Sequence, residues 1–265
     1  MEIENRGLAV ITGASSGIGY ELAKVFAENG YDLLVCAEDA GIAEAASAFS
    51  AYNRKVDYVQ ANLARTEGVE RLYQKIKSLG EPVEVLCINA GVGVGGEFIK
   101  NSIQEEINLI NLNITSAVHL TKLVMQDMVQ EGQGRILFTS SIAAEMPGPY
   151  YAVYAASKAF LQSFAEAIRY EVKDKGIVVT SLQPGATDTN FFERARMTDT
   201  KAGQAKKDAP SDVAKDGFEA VMSGKDHIVA GSFMNKLKVA VAKFITEPQQ
   251  AKIHSRDVKP RSANL

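Results

Sequence analysis

Seven short runs rich in β-branched and aliphatic residues punctuate the chain at near-regular intervals, and helix-patterned stretches separate them. The runs are LAVIT (8–12), DLLVCA (32–37), KVDYVQAN (55–62), VEVLCINA (83–90), RILFTSS (135–141), GIVVTSLQP (176–184) and HIVAG (227–231). Helical patterns fall near 17–29, 41–53 and 66–78, across 102–130, near 152–174 and from Pro210 onward. Strands that are apolar throughout, rather than alternating with polar residues, are buried on both faces. Such strands alternating with helices predict a doubly wound, mainly parallel seven-stranded α/β sheet flanked by helices, Rossmann-like and built as one domain. No internal repeat and no second-domain boundary interrupts the pattern, so residues 1–246 are expected to form that domain. Within it, residues 186–209 read as a flexible polar insert suited to closing over a substrate. Residues 247–265 read as a loose polar tail, or an arm reaching a partner subunit.

The totals exclude several function classes. A net charge of −3 and a calculated pI near 5.8 offer no basic field for nucleic acid. The two cysteines, Cys36 and Cys87, lie inside apolar runs and read as buried strand residues. Three scattered histidines, His119, His227 and His254, give no metal-ligand spacing, so no metal site is expected. The first strand begins by residue 8, leaving no room for a signal peptide, and no apolar run reaches membrane-span length. A cytoplasmic protein with no membrane contact is the expectation. In GSFMNKLKVAVAKFI (231–245), Phe233, Leu237, Ala240 and Phe244 recur near the helical period and predict a core or interface helix rather than a pocket rim.

Chemistry enters with TGASSGIG (12–19), set between the first strand and the first helix. Gly13 permits the tight turn, Gly17 lets backbone amides approach a pyrophosphate, and Gly19 allows close helix–strand packing. The helix N-terminus then faces the phosphates with its partial positive charge. The TGxxxGxG spacing resembles that of the short-chain dehydrogenase/reductase family. Further motifs carry the same resemblance, in order, over residues 8–190: Asn89-Ala90-Gly91 after the fourth strand, Asn113 on the next helix, Ser141 after the fifth strand, Tyr154 and Lys158, and Pro184-Gly185 with Thr187 and Thr189.

Tyrosine and lysine four residues apart occur three times: Tyr20/Lys24, Tyr73/Lys77 and Tyr154/Lys158. The first two lie on ordinary amphipathic helices. Tyr154 alone follows a loop (MPGPYY) beyond a strand end, where open parallel sheets bind ligands. Tyr150 and Tyr151 lack a lysine at i+4 and are expected to line the pocket or pack against it. A free tyrosine, with a pKa near 10, is a poor base at neutral pH. The Lys158 charge, together with an oxidised nicotinamide ring, is expected to lower it towards neutrality. Ser141 would hydrogen-bond the substrate oxygen. The resemblance implies that Lys158 also binds the nicotinamide ribose and that Asn113 holds a water linking Lys158 to solvent.

It implies, too, that the cofactor is NAD or NADP, held by Gly13, Ser15, Ser16, Gly17, Ile18, Gly19, Glu38, Asn62, Leu63, Asn89, Ala90, Gly91, Tyr154, Lys158, Pro184, Gly185, Thr187 and Thr189. Neither Ser16 nor Glu38 supplies the cation that a 2′-phosphate would need, whereas Glu38 or Asp39 can accept from a ribose diol. NAD is therefore favoured, with NADP as the alternative. Asn62 stands where the family usually has an aspartate beside the adenine amine. The expected activity is hydride transfer between nicotinamide and an apolar or medium-sized secondary alcohol or ketone, in a homodimer or homotetramer. The alternatives are a catalytically idle nucleotide-binding protein, which should show a defect among Asn113, Ser141, Tyr154 and Lys158, and a sugar-nucleotide epimerase or dehydratase.

Overall fold

The computed structural model describes residues 5–242 and 244–261. In chain order its elements are β1 (Leu8–Thr12), α1 (Gly17–Glu28), β2 (Asp32–Ala37), α2 (Gly41–Phe49), β3 (Val56–Gln60), α3 (Thr66–Leu79), β4 (Val83–Ile88), α4 (Ile103–Ile110), α5 (Ser116–Glu131), β5 (Gly134–Thr139), α6 (Ala152–Val172), β6 (Ile177–Gln183), α7 (Phe191–Arg194), α8 (Lys201–Gln204), α9 (Pro210–Met222), β7 (His227–Val229), α10 (Phe233–Ala242) and α11 (Glu247–Val258). The strands form one parallel seven-stranded sheet in the order β3-β2-β1-β4-β5-β6-β7. The expected fold is therefore the observed one.

Successive side chains of each inner strand feed opposite faces of the sheet. Val10, Leu34, Leu86 and Ile136 pack with α3, α5 and α6, while Ala9, Ile11, Leu33, Val35, Val85 and Leu137 pack with α1, α2 and α9. This double burial is why those strands carry no polar alternation. Cys36 and Cys87 are fully buried free thiols on opposite faces.

The chain order reverses between β1 and β4, so a crevice opens beyond the carboxyl ends of these two strands. Among the described residues no helix is long and apolar enough to cross a membrane.

Four expectations need correction. The helical stretch predicted across 102–130 is interrupted at Asn111–Thr115 by a π-turn, a feature that often marks a functional position. The segment 186–209 is laid down rather than loose. Phe192, Ala195, Met197 and Thr200 are buried, the Gly95 amide donates to the Ala195 carbonyl at 2.9 Å, and Thr187 pairs with Asp208 in a parallel bridge. A few apolar anchors hold it, hidden in sequence among its charges.

Residues 247–258, read as tail, form α11. Pro248 sits in its first turn, Thr246 and Gln249 form a capping box, and Val258 and Gln250 are buried. The stripe expected on α10 is not core: Leu237 is 44 % and Phe244 89 % exposed, Ala240 is exposed, and the buried residues are Asn235 and Val239. The Phe233 side chain lies outside the described residues.

Candidate active site

The crevice widens into a cleft of about 1110 Å³. Of the residues expected to act on cofactor or substrate, all but Asn62 and Asn113 line it.

Its first wall is the glycine loop. A Cβ on Gly19 would lie 2.1 Å from the Gly13 carbonyl oxygen, and one on Gly13 would lie 2.9 Å from the Ala90 Cα, so the loop, α1 and the end of β4 touch backbone to backbone. Gly17 has φ +59°, and Thr189 packs over it. Ser16 caps α1 without a side-chain hydrogen bond, and no acid occupies the first turn, which leaves that helix end polarised towards the cleft.

Thr12, which the sequence reading passed over, ties this wall together. Its hydroxyl accepts from the Asn89 and Ala90 amides at 2.9 and 3.0 Å and donates to the Cys87 carbonyl at 3.2 Å. The Asn89 amide group in turn donates to the Thr12 carbonyl, and Thr139 donates to the Asn89 carbonyl oxygen.

At the end of β2, Ser15 donates to Asp39 at 2.7 Å, tying that acid to the glycine loop, while Glu38 stands exposed on the cleft wall. Asn62, expected beside the adenine, instead donates to Glu38 at 2.8 Å, and its carbonyl oxygen accepts from the Ala64 amide at 2.8 Å. Both ends of its amide are engaged, so it braces Glu38 rather than facing the cleft.

Ser141, Tyr154 and Lys158 converge at the middle of the cleft. The Tyr154 ring stacks on Tyr151 with centroids 5.6 Å apart, meets Phe191 at 5.0 Å, and has the Lys158 Nζ 5.7 Å from its centre. The Ser141 hydroxyl accepts from the Ala143 amide at 3.1 Å, donates to the Pro184 carbonyl at 3.4 Å, and stands near enough to the Tyr154 phenol to favour its ionised form. Lys158 is buried and donates to the Thr139 carbonyl at 2.8 Å.

Small polar residues fix the start of α6. Ser157 donates to the Tyr154 carbonyl at 2.7 Å, and Ser140 donates to the Lys158 carbonyl at 2.9 Å. Burial pushes the Tyr154 phenol up to about 12, partly offset by the Ser141 hydroxyl, and pushes the Lys158 ammonium down to about 8. The expected fall of the tyrosine towards neutrality invoked an oxidised nicotinamide ring as well, and in the protein alone desolvation outweighs the influence of Ser141.

Asn113 sits in the π-turn with its side chain committed to protein. Its carbonyl oxygen accepts from the Val92 amide at 2.9 Å, and its amide group donates to the Val92 carbonyl and the Ser157 hydroxyl, both at 3.0 Å. It positions the strand–loop exit and α6, so the expected hold on a water does not run through its side chain.

The other two tyrosine–lysine pairs are structural. Tyr20 packs on Phe49, and Tyr73 and Lys77 share Asp127.

Tyr151 lines the cleft, as one of its two expected placements has it, and meets His254, a residue that sequence left unassigned. The Tyr151 hydroxyl meets the His254 Nε2, and His254 Nδ1 lies 3.1 Å from the Pro147 carbonyl. Since a carbonyl can only accept, Nδ1 carries the proton and Nε2 accepts from the tyrosine. In this way α11 is pinned to the loop that precedes Tyr154. Tyr150, at φ +64°, packs beside the cleft instead of lining it.

Comparison with known proteins places this site in context. Residues 7–200 match the family model described as short chain dehydrogenase. The 3-oxoacyl-acyl-carrier-protein reductase FabG of Escherichia coli (strain K12) is 31 % identical over 196 residues, covering 74 % of this chain and 79 % of that protein. A short-chain dehydrogenase from Sphingobium yanoikuyae, solved in complex with NADPH, superposes with a TM-score of 0.80 at 24 % identity, covering 91 % of this chain and 96 % of the other. A protein from Beutenbergia cavernae, solved with bound NADP, gives a TM-score of 0.74 at 26 % identity, covering 85 % and 95 %.

Proposed function

Because the chain belongs to the short-chain dehydrogenase/reductase family of oxidoreductases, we propose that it interconverts a ketone and a secondary alcohol with a nicotinamide cofactor and uses Tyr154 as its acid/base. The observation that carries this reading is the convergence of Ser141, Tyr154 and Lys158 in one cleft with the glycine loop. The cradle fits a dinucleotide: Gly13 and Gly19 let the loop, α1 and the end of β4 meet backbone to backbone, and an uncapped helix end faces the cleft. The Beutenbergia cavernae neighbour with bound NADP supports a cofactor of this class. When bound, the nicotinamide supplies or accepts the hydride.

The chain's own residues handle orientation and the proton. Ser141 positions the substrate oxygen beside the phenol, within hydrogen-bond reach. Held at about 12, the Tyr154 phenol stays protonated at neutral pH and serves as proton donor to a carbonyl oxygen. Acting as base on an alcohol requires that value to fall, and a protonated Lys158 one turn away is the cation placed to lower it. Lys158 would hold the nicotinamide ribose, and Asn113 would reach a relay water through its backbone carbonyl.

Glu38 would accept from a ribose diol and repel a 2′-phosphate, which favours NAD over NADP. The complete catalytic set weighs against an idle binding protein. Exposed Phe98, Ile99, Ile103, Ile107 and Ile110 form an apolar face suited to a second copy of the chain, in keeping with a homo-oligomer.

The test is a panel of ketones and secondary alcohols with each cofactor, followed by absorbance of the reduced nicotinamide. Ketone-dependent oxidation of NADH is expected. Dinucleotide binding with no turnover across the panel would count against the proposal.

A further inference from the structure

The cleft does not end at Tyr154. Beyond it the wall passes to Met197 of the covering segment and then to the two C-terminal helices, which contribute Met234, Leu237 and Val241 from α10 and Ile253 and Val258 from α11. Met234, Leu237 and Val241 stand at i, i+3 and i+7, so they share one helix face and make a continuous apolar stripe about 10 Å long. Met197 and Val258 are buried, yet Met234 is 56 %, Leu237 44 %, Val241 49 % and Ile253 48 % exposed. Four large apolar side chains open to water along one cleft wall are an apolar surface that awaits an occupant.

The polar groups of α11 that line the cleft are already engaged. His254 holds Tyr151 and Pro147, and Asp257 pairs with Lys201 at 2.9 Å. The stripe itself carries no polar group, so burial of hydrocarbon is the interaction it offers, while Arg194 and Lys206 of the covering segment line the same cleft.

We propose that the outer half of the cleft, between α10 and α11, binds an extended alkyl chain, so that the substrate is a long-chain ketone or alcohol whose reacting carbon reaches Tyr154. The occupant is assigned from continuity: the stripe lines the same cleft as the catalytic residues, whereas the face of Phe98 to Ile110 lines no part of it. A straight chain matches a stripe that runs along a helix axis rather than a rounded chamber. The position of the reacting carbon rests on the oxidoreductase reading, and the apolar trough does not.

The experiment uses the full chain and the fluorescent probe 11-(dansylamino)undecanoic acid, which is displaced by a homologous series of 2-alkanones from butanone to undecanone. Probe binding is expected, with displacement strengthening by about fourfold for each added methylene until the trough is filled. Leu237→Glu and Val241→Glu, each at an exposed position and checked by unchanged thermal melting, are expected to weaken probe binding at least tenfold. No probe binding, displacement indifferent to chain length, or wild-type probe affinity in both variants would overturn the proposal. Turnover is followed on the same ketones. Length-dependent displacement without turnover leaves the trough standing and removes the oxidoreductase reading, whereas turnover indifferent to chain length removes the trough alone.

Discussion

Lys158 is a buried ammonium group that donates to the Thr139 carbonyl, and among the described residues no carboxylate lies within ion-pairing distance of it. Its stability cost can be worked from the shift. In the unfolded chain the lysine titrates at its ordinary value, and in the fold it titrates at about 8, so between these values the unfolded state binds the extra proton and stability rises with pH. The cost is complete below about 8 and disappears as pH approaches the unfolded value. With an ordinary lysine value of 10.5, the gap corresponds to about 3 kcal/mol at pH 7 and to less than about 1 kcal/mol at pH 10.

Lys158→Met keeps the bulk and removes the charge. It also removes the hydrogen bond to Thr139, at a pH-independent cost of about 1–3 kcal/mol. Urea unfolding of both proteins at fixed concentration, at half-unit steps from pH 7 to pH 10, gives the difference in unfolding free energy. That difference should move against the variant by about 2 kcal/mol over the range as the wild type sheds its penalty. Tyr154 enters only at the top of this range, where the unfolded phenol begins to titrate near 10, and it acts alike on both proteins. A difference that stays flat across the range would refute an uncompensated buried lysine.

Two further outcomes follow from the cleft walls. Glu38→Arg should shift the ratio of NADH to NADPH affinity towards NADPH by at least tenfold in fluorescence titrations, and an unchanged ratio would remove Glu38 from the ribose site. His254→Ala should release α11 from Tyr151 and Pro147, lowering kcat while leaving NADH affinity within about twofold, because the glycine loop is remote from that contact. Equal losses in kcat and NADH affinity would argue that His254 merely supports the fold.

The sheet and the cofactor half of the site were legible because their determinants are local. Continuous apolar runs announce strands buried on both faces, and Gly13, Gly17 and Gly19 occupy a turn whose backbone contacts leave no room for a side chain. Tyr154 was separable from Tyr20 and Tyr73 by its place after a strand end. Less legible was whatever depends on distant packing. The burial of Tyr154, which raises its phenol in the protein alone, comes from Tyr151, Phe191 and the covering segment together. The amides of Asn62 and Asn113 could each have turned to solvent or ligand, and the fold turned them to Glu38 and Ala64, and to Val92 and Ser157. Helix α11 left a readable signal in Thr246, Pro248 and Gln249, a capping box with proline in the first turn, but its polar composition masked it. Leu237 and Phe244 keep helical spacing on a face that meets no core, a pattern that sequence alone does not distinguish from a buried one.

The most direct test of the central claim is turnover by Tyr154→Phe, measured beside its NADH affinity. The phenylalanine keeps the stacking on Tyr151 and the contact with Phe191 while deleting the hydroxyl beside Ser141. The account predicts ketone reduction at least a thousandfold below wild type with NADH binding unchanged, in line with the contribution of a positioned acid. Activity near the wild-type level would contradict it.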